Sequence, residues 1–355
     1  MKALVLSGGS GTRLRPFSYS MPKQLIPIAN KPVLEHVLEN IRDLGIVDVG
    51  VIVGDLGPQI AEVMGDGSRL GLRIAYIQQS EPLGLAHCVR LAQPFLGADD
   101  FVMYLGDNML PDGIADMDRT FRTERSAAHL AVHKVPDPRM FGVAELDDAR
   151  RVRRVVEKPR QPLSDLALIG VYFFTPAIHR AVDAITPSTR GELEITDAIQ
   201  WLISNGHDVT ASEYTGYWKD TGRTDDVLDC NRRQLEQIRS DTAGEVDAAS
   251  VLAGQVIVEA GARVIRSRVD GPVVIGAGTV IEDSHIGPGT SIGRECAVHD
   301  TVVTDSIVLD GASIRGVPGL RGSLIGRGAT IGVGRPGDTH HRLVVGDHTR
   351  IVVAA

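Results

Sequence analysis

The sequence predicts two architectures in one chain, an α/β domain on a mixed, mostly parallel sheet and, behind it, a parallel β-helix. Three observations carry this. Up to about residue 225, short β-branched runs alternate with helical stretches, the pattern of parallel strands joined by crossover helices. A glycine-rich loop, Gly8 to Gly11, follows the first apolar run directly, at the strand end where such sheets bind ligands. Beyond residue 240, apolar residues recur every six positions, a period that suits neither an amphipathic helix nor a hairpin sheet.

Taken in order, Ala3 to Leu6 reads as a first strand, too short an apolar run for a secretory leader. Pro32 to Leu44 reads as an amphipathic helix with Val33, Val37, Leu38, Ile41 and Leu44 on one side. Val49 to Val53 and Phe101 to Leu105 read as buried strands that end in Gly54-Asp55 and Gly106-Asp107. Asp226 to Ser240 reads as a connecting helix. The six-residue series then runs through Leu252, Val258 and Val264, through Val274, Val280, Ile286, Ile292 and Val298, and again through Ile325 and Ile331. It resembles the hexapeptide repeat of left-handed β-helices, in which short strands turn corners and stack coil on coil. The series loses register near Thr304 and from Arg335 to His341, where loops are expected.

Composition narrows the function. The 355 residues exceed one ordinary core, so at least two domains are expected. A net charge of −8 and 4% aromatic residues argue against nucleic-acid and anionic-membrane surfaces. No apolar stretch reaches the length of a membrane span. Three scattered cysteines, Cys88, Cys230 and Cys296, suit a reducing cytoplasm and lack zinc-site spacing. An acidic protein that binds anions must gather its cations locally, and the first loop does so. Gly8, Gly9, Gly11, Thr12 and Arg13, with Lys23 and Gln24 close behind, offer backbone N–H groups to wrap a polyphosphate and two cations to neutralise it. The spacing is neither that of a Walker loop nor that of the dinucleotide fingerprint.

Gly8 to Pro16, followed by Pro22 to Pro27, resembles the signature of the sugar-1-phosphate nucleotidylyltransferases, which join a sugar phosphate to a nucleoside monophosphate unit and release pyrophosphate. Further segments extend the resemblance in family order from residue 3 to 222: Gln78 to Ala86, Leu105 to Asn108, Met140 to Val143, Val156 to Pro159, Leu166 to Tyr172, Arg190 to Asp197 and Tyr217 to Gly222. It is most like the long form of the thymidylyl-transferring branch, which carries a β-helical extension. The resemblance implies a Rossmann-like nucleotide-diphospho-sugar transferase domain over residues 1–240, connecting helix included, and a left-handed β-helix over residues 241–355.

It also implies roles. Leu6, Gly8, Gly9, Gly11, Thr12, Arg13, Gln24, Gln79, Gly84 and Asp107 would bind nucleotide, with Gln79 on the pyrimidine and Gly84 letting the base approach. Asn108, Gly142, Glu157, Lys158, Leu168, Gly170 and Trp218 would bind sugar phosphate. Asp107 and Asp220 would hold Mg²⁺, a hard cation that prefers oxygen. Arg13 and Lys23 would be the catalytic cations. The family often has tyrosine where Phe141 stands. The implied reaction transfers dTMP from dTTP to glucose 1-phosphate, giving dTDP-glucose for deoxysugars of surface polysaccharides or antibiotics, in a homo-oligomer.

Two other readings stay open from the sequence: a UTP-using or relaxed enzyme of the same type, because one methyl group in a pocket is worth only about 1–3 kcal/mol, and a non-catalytic sugar-nucleotide sensor. A third adds acyl transfer on the β-helix, with His285, His299, His340 and His341 as candidate bases.

Overall fold

In the computed structural model of the chain, residues 1–9, 11–333 and 348–351 are described. It divides into two compact units, Met1–Ser10 with Val33–Asp220, and Gly11–Pro32 with Thr221–Ala355. No helix among the described residues is long and apolar enough to cross a membrane.

The first unit is built on a nine-stranded mixed sheet. Lys2–Ser7 lies at its centre, parallel to Asp48–Val53 on one side and to Phe101–Leu105 on the other, and Arg73–Gln78 extends the parallel half. Ala3, Leu4 and Val5 are fully buried, as expected of a strand covered on both faces. The other half is mainly antiparallel: Leu166–Phe174 runs against Phe101–Leu105 and Ala128–Lys134, and Gly142–Leu146 pairs with Val152–Glu157. Register aligns the strand ends that matter. Ser7 pairs with Val53, Val53 with Gln78, and Leu6 with Leu105, so Gly8, Gly54, Gln79 and Gly106 all follow at one carboxyl edge. The helix expected from residue 32 runs over Val33–Asp43 and buries Val33, Leu34, Val37, Leu38 and Ile41.

The second unit joins an early segment to the C-terminal half. Gly11–Pro32 folds into the short 3₁₀ turns Thr12–Leu14, Phe17–Tyr19 and Lys23–Leu25 and a hairpin, Pro27–Ile28 against Lys31–Pro32. Ala29 and Asn30 turn that hairpin with φ of 50° and 61°, the left-handed pair of a type I′ turn. The connecting helix is Thr224–Leu235 and stops short of Ser240. Ser240 is taken up by the first coil instead, where its Oγ accepts from Val256 N at 3.3 Å.

The C-terminal half has the three parallel sheets of a left-handed β-helix, with six, six and five strands. Its first coils are 17 residues long, as Val256 opposite Val273 and the Ser267–Ser284 contact both show, and a later one is 16, with Ile292 opposite Val308. The interior positions are therefore Ile275, Ile281, Ile286, Ile292, Val298 and Val303. The strict six-residue series read from the sequence is off by one at Val280, which is half-buried beside the fully buried Ile281. The reason is one short corner per coil. Arg266, Asp283 and Asp300 turn it with φ of 46° to 48°. Ser267 and Ser284 follow, each accepting a backbone N–H from the next coil at 3.0 and 3.3 Å. The register change near Thr304 is a second corner of this type, Asp305-Ser306, rather than a loop: Val303 still pairs with Leu320 and Ile292 with Val308. The segment from Arg335 to His341 lies outside the described residues.

One buried amide ties the early segment to this half. Asn231 is fully buried; its Oδ1 accepts from Ala29 N at 2.8 Å and from Ser291 Oγ at 2.7 Å, and its Nδ2 donates to Gly289 O at 3.0 Å. Asn30 Nδ2 adds a 2.7 Å bond to Ile292 O. Asn231→Ala strands these partners, and a buried group left without a partner costs about 1–3 kcal/mol. A clear fall in the calorimetric melting temperature is expected, and an unchanged one would contradict this anchoring.

Candidate active site

The parallel half of the sheet delivers the loop residues to its carboxyl edge. Leu6 is buried, and its carbonyl accepts from Gly106 N at 2.9 Å. A Cβ on Gly8 would lie 3.2 Å from Gln79 Oε1, so the glutamine side chain meets the glycine loop directly. Gly9 is exposed on the same loop. Ser7 Oγ is buried beside Gly106 and has no hydrogen-bond partner among the described residues.

Gly84 has φ +101°, and a Cβ there would sit 2.8 Å from Leu193 N and closer still to Leu193 O. The approach is held by Ala86 N to Leu193 O at 3.0 Å and Leu193 N to Leu83 O at 2.8 Å. Gly84→Ala must therefore break this lacing. Holding alanine at this positive φ with an extended ψ, a conformation essentially reserved for glycine, adds about 1–3 kcal/mol, so the variant is expected to melt lower by calorimetry.

Strand pairing brings together the segments that carry the two aspartates, which are remote in sequence. Asp107 sits in the turn between Phe101–Leu105 and the short strand Asn108–Met109. Lys219–Asp220 pairs antiparallel with that strand, placing Asp220 opposite Asn108. Asn108 is buried; its Nδ2 donates to Asp107 Oδ1 at 3.2 Å and its Oδ1 accepts from Trp218 Nε1 at 2.8 Å. Trp218 in turn packs edge-on to Phe141, with ring centroids 5.4 Å apart. Gly170, with φ +78°, leaves room for the same asparagine: a Cβ there would lie 3.0 Å from Asn108 Nδ2.

This donor set fits Mg²⁺. The ion commonly takes one or two carboxylates and completes its shell with water and substrate phosphates. No cluster of three or more His, Cys, Asp or Glu arranged for a metal occurs among the described residues, so the two aspartates would supply a partial shell rather than a closed cage.

A third cluster gathers Gly142, Glu157, Lys158 and Leu168. Gly142 pairs with Glu157 across the hairpin, and a Cβ on Gly142 would lie 2.9 Å from Leu168 Cδ1 and 3.3 Å from Glu157 Oε2. Glu157 accepts from Thr196 Oγ1 at 3.3 Å and pairs with Lys158 Nζ at 3.2 Å. Lys158 has φ 40° immediately before a proline, where extended backbone is favoured. Such strain in a non-glycine residue is typical of ligand-binding positions.

Two residues that the motifs did not single out belong to these clusters. Arg190 bridges Glu157 at 3.3 Å, Glu192 at 3.3 Å and Glu194 at 3.2 Å. Burial is the largest influence on the Glu194 carboxyl and raises its pKa. His87 meets Gln79, its Nδ1 lying 3.1 Å from Gln79 Nε2. The signal for Arg190 was its two acidic neighbours in sequence, Glu192 and Glu194; for His87 it was a place on the first turn of the helix that opens at Leu85.

In the second unit, Gly11 has φ +61°, and a Cβ there would lie 3.3 Å from Lys23 Cβ, so the glycine brings the Lys23 turn against the loop. Thr12 and Arg13 lie in the exposed turn between them. Gln24 is 1% exposed, and its Oε1 has no hydrogen-bond partner among the described residues. A buried oxygen of this kind is costly unless a ligand or water completes it.

His285 and His299 of the β-helix are engaged with carboxylates. His285 Nε2 lies 2.7 Å from Asp270 Oδ2 and His299 Nδ1 lies 3.1 Å from Glu282 Oε2. His285 borders a concavity of about 560 Å³ along the short corners, shared with Arg266, Asp283 and Asp300. His340 and His341 lie outside the described residues.

A strand-end glycine loop, paired aspartates and a β-hairpin with an acid–lysine pair define a nucleotide-transfer domain, and the chain belongs to the nucleotidyl transferase family, whose model matches residues 2–237. A glucose-1-phosphate thymidylyltransferase of Streptomyces griseus is 55% identical over all of both chains. One of Streptomyces antibioticus is 54% identical over 99% of each. Among solved structures, one from Bacillus anthracis assigned to the same enzyme matches with a TM-score of 0.62 at 31% identity, covering 68% of this chain and 97% of its own.

Proposed function

We propose that the protein transfers dTMP from dTTP to α-D-glucose 1-phosphate, forming dTDP-glucose and pyrophosphate. The observation that carries this is the full-length identity to two glucose-1-phosphate thymidylyltransferases, supported by clusters that match each chemical need. A phosphate oxygen of glucose 1-phosphate attacks the α-phosphorus of dTTP in line, and the bond from that phosphorus to the β-phosphate oxygen breaks. The nucleophile is already anionic at neutral pH, so no side chain need remove a proton. The obstacle is mutual repulsion of the anions, and alignment with charge neutralisation lowers it.

In this reading Leu6 and the glycine loop, Gly8, Gly9, Gly11 and Thr12, hold the nucleotide, and Gln79, Gly84 and Gln24 place the nucleoside. Arg13 and Lys23 stabilise the departing pyrophosphate. Lys158 holds the attacking phosphate, Glu157 accepts from sugar hydroxyls, and Gly142, Leu168, Gly170, Asn108 and Trp218 shape the hexose site. Asp107 and Asp220 would hold Mg²⁺, which when bound supplies charge neutralisation to the phosphates. A homo-oligomer in the cytoplasm belongs to the same reading, and ultracentrifugation tests the assembly.

The test is pyrophosphate release across dTTP, UTP, ATP and GTP crossed with several hexose 1-phosphates. The highest kcat/KM is expected for dTTP with glucose 1-phosphate. A preference for UTP would select the uridylyl alternative, and no release with any pair would select a sensor.

A further inference from the structure

We infer that His87 is a positioning residue that fixes the amide of Gln79 so that its oxygen, not its nitrogen, faces the nucleotide loop and selects bases with a ring N–H. The inference rests on Gln79 being the base contact. An amide nitrogen only donates hydrogen bonds. The 3.1 Å contact between Gln79 Nε2 and His87 Nδ1 therefore requires Nδ1 to be the unprotonated acceptor, with the ring proton on Nε2. The second hydrogen of Gln79 Nε2 has Gly84 O at 3.4 Å. Both donors are thus turned toward the protein. The remaining atom, Oε1, is the one that approaches Gly8, 3.2 Å from where a Cβ would be. Burial first, then the positive charge of Arg90, lower the His87 pKa, with Glu81 opposing, which favours the neutral ring that this bond needs.

The consequence is a one-way reader. An oxygen facing the base accepts from the N3–H of thymine or uracil. Cytosine presents a bare N3 lone pair at the same place, which repels that oxygen. A glutamine free to rotate could turn its NH₂ toward cytosine instead, so the discrimination depends on what holds the amide. His87 is half-buried on the first turn of Leu85–Leu91 and touches the Gln79 amide. It is also absent from the glycine, cation and carboxylate machinery, which makes its effect separable.

The experiment compares full-length His87→Leu, His87→Asn and Gln79→Leu with the parent, using steady-state kinetics in dTTP, dCTP and glucose 1-phosphate. Losing one orienting hydrogen bond corresponds to about tenfold in selectivity. His87→Leu is expected to raise KM for dTTP and to narrow the dTTP:dCTP ratio of kcat/KM by about that factor, while KM for glucose 1-phosphate holds. His87→Asn can again place an acceptor toward Gln79 Nε2 and is expected to restore the ratio. An unchanged ratio in His87→Leu overturns the positioning role, as does equal impairment of His87→Leu and His87→Asn spread over both substrates. Gln79→Leu separates the two levels. If it too leaves the ratio unchanged, the base-contact reading falls and this inference with it; if it collapses the ratio while His87→Leu does not, only the role of His87 is lost.

Discussion

Arg13→Ala is expected to lower kcat by about 10²–10³-fold, the usual loss on removing one preorganised charge contact, or roughly 3–4 kcal/mol of barrier. Its melting temperature is expected to stay within a few degrees of the parent value, since a contact made by an exposed charged side chain is worth about 0–1 kcal/mol. The asymmetry follows from where the residue stands. Arg13 is exposed in a short turn opened by Gly11, so its side chain contributes little to packing. Its proposed work grows as negative charge accumulates on the leaving pyrophosphate, so kcat should fall more than KM for dTTP rises, with KM for glucose 1-phosphate little changed. Arg13→Lys should recover part of the loss, since charge is kept and the planar fork is not. Turnover near that of the parent would remove Arg13 from catalysis, and a melting temperature lowered by more than this would make it a structural residue.

Asp220→Asn is expected to cut kcat/KM by about 10²-fold or more, as a metal's stabilisation of transferring charge is worth several kcal/mol. Strand pairing gives the reason for singling it out. Lys219–Asp220 is only two residues long, yet it is laid against Asn108–Met109, which follows Asp107 directly. A segment that short gains little stability from its own pairing, and its consequence is to lay Asp220 opposite Asn108, the residue that follows Asp107. The metal-free variant should melt close to the parent. The rise in melting temperature that Mg²⁺ with dTTP gives the parent should shrink in the variant, since a weaker ligand stabilises less at the same concentration. An undiminished rise would place the ion elsewhere.

Much of the site was legible because its motifs are local and sit at strand ends. The Lys2–Ser7, Asp48–Val53 and Phe101–Leu105 strands could be read from apolar runs, and parallel register then puts Gly8, Gly54 and Gly106 at one edge. Gly142 and Glu157 were legible as separate motifs, and their facing positions follow from one hairpin. What escaped depends on side chains reaching across the fold. Neither the link from Asn231 to Ala29 and Ser291 nor the contact of His87 with Gln79 leaves a periodic trace. The 17-residue coil escaped for another reason. Two six-residue steps and one of five look like a steady period of six until a full coil has passed, and only the alternation of Ile281 inside with Val280 half-buried reveals the short corner.

The most direct measurement of the central claim is product analysis by mass spectrometry after incubating the full-length protein with dTTP, glucose 1-phosphate and Mg²⁺. The account predicts dTDP-glucose and pyrophosphate in equal amounts, formed together and dependent on both substrates. Pyrophosphate without dTDP-glucose, or no product from this pair while another nucleotide or sugar phosphate is turned over, would contradict it.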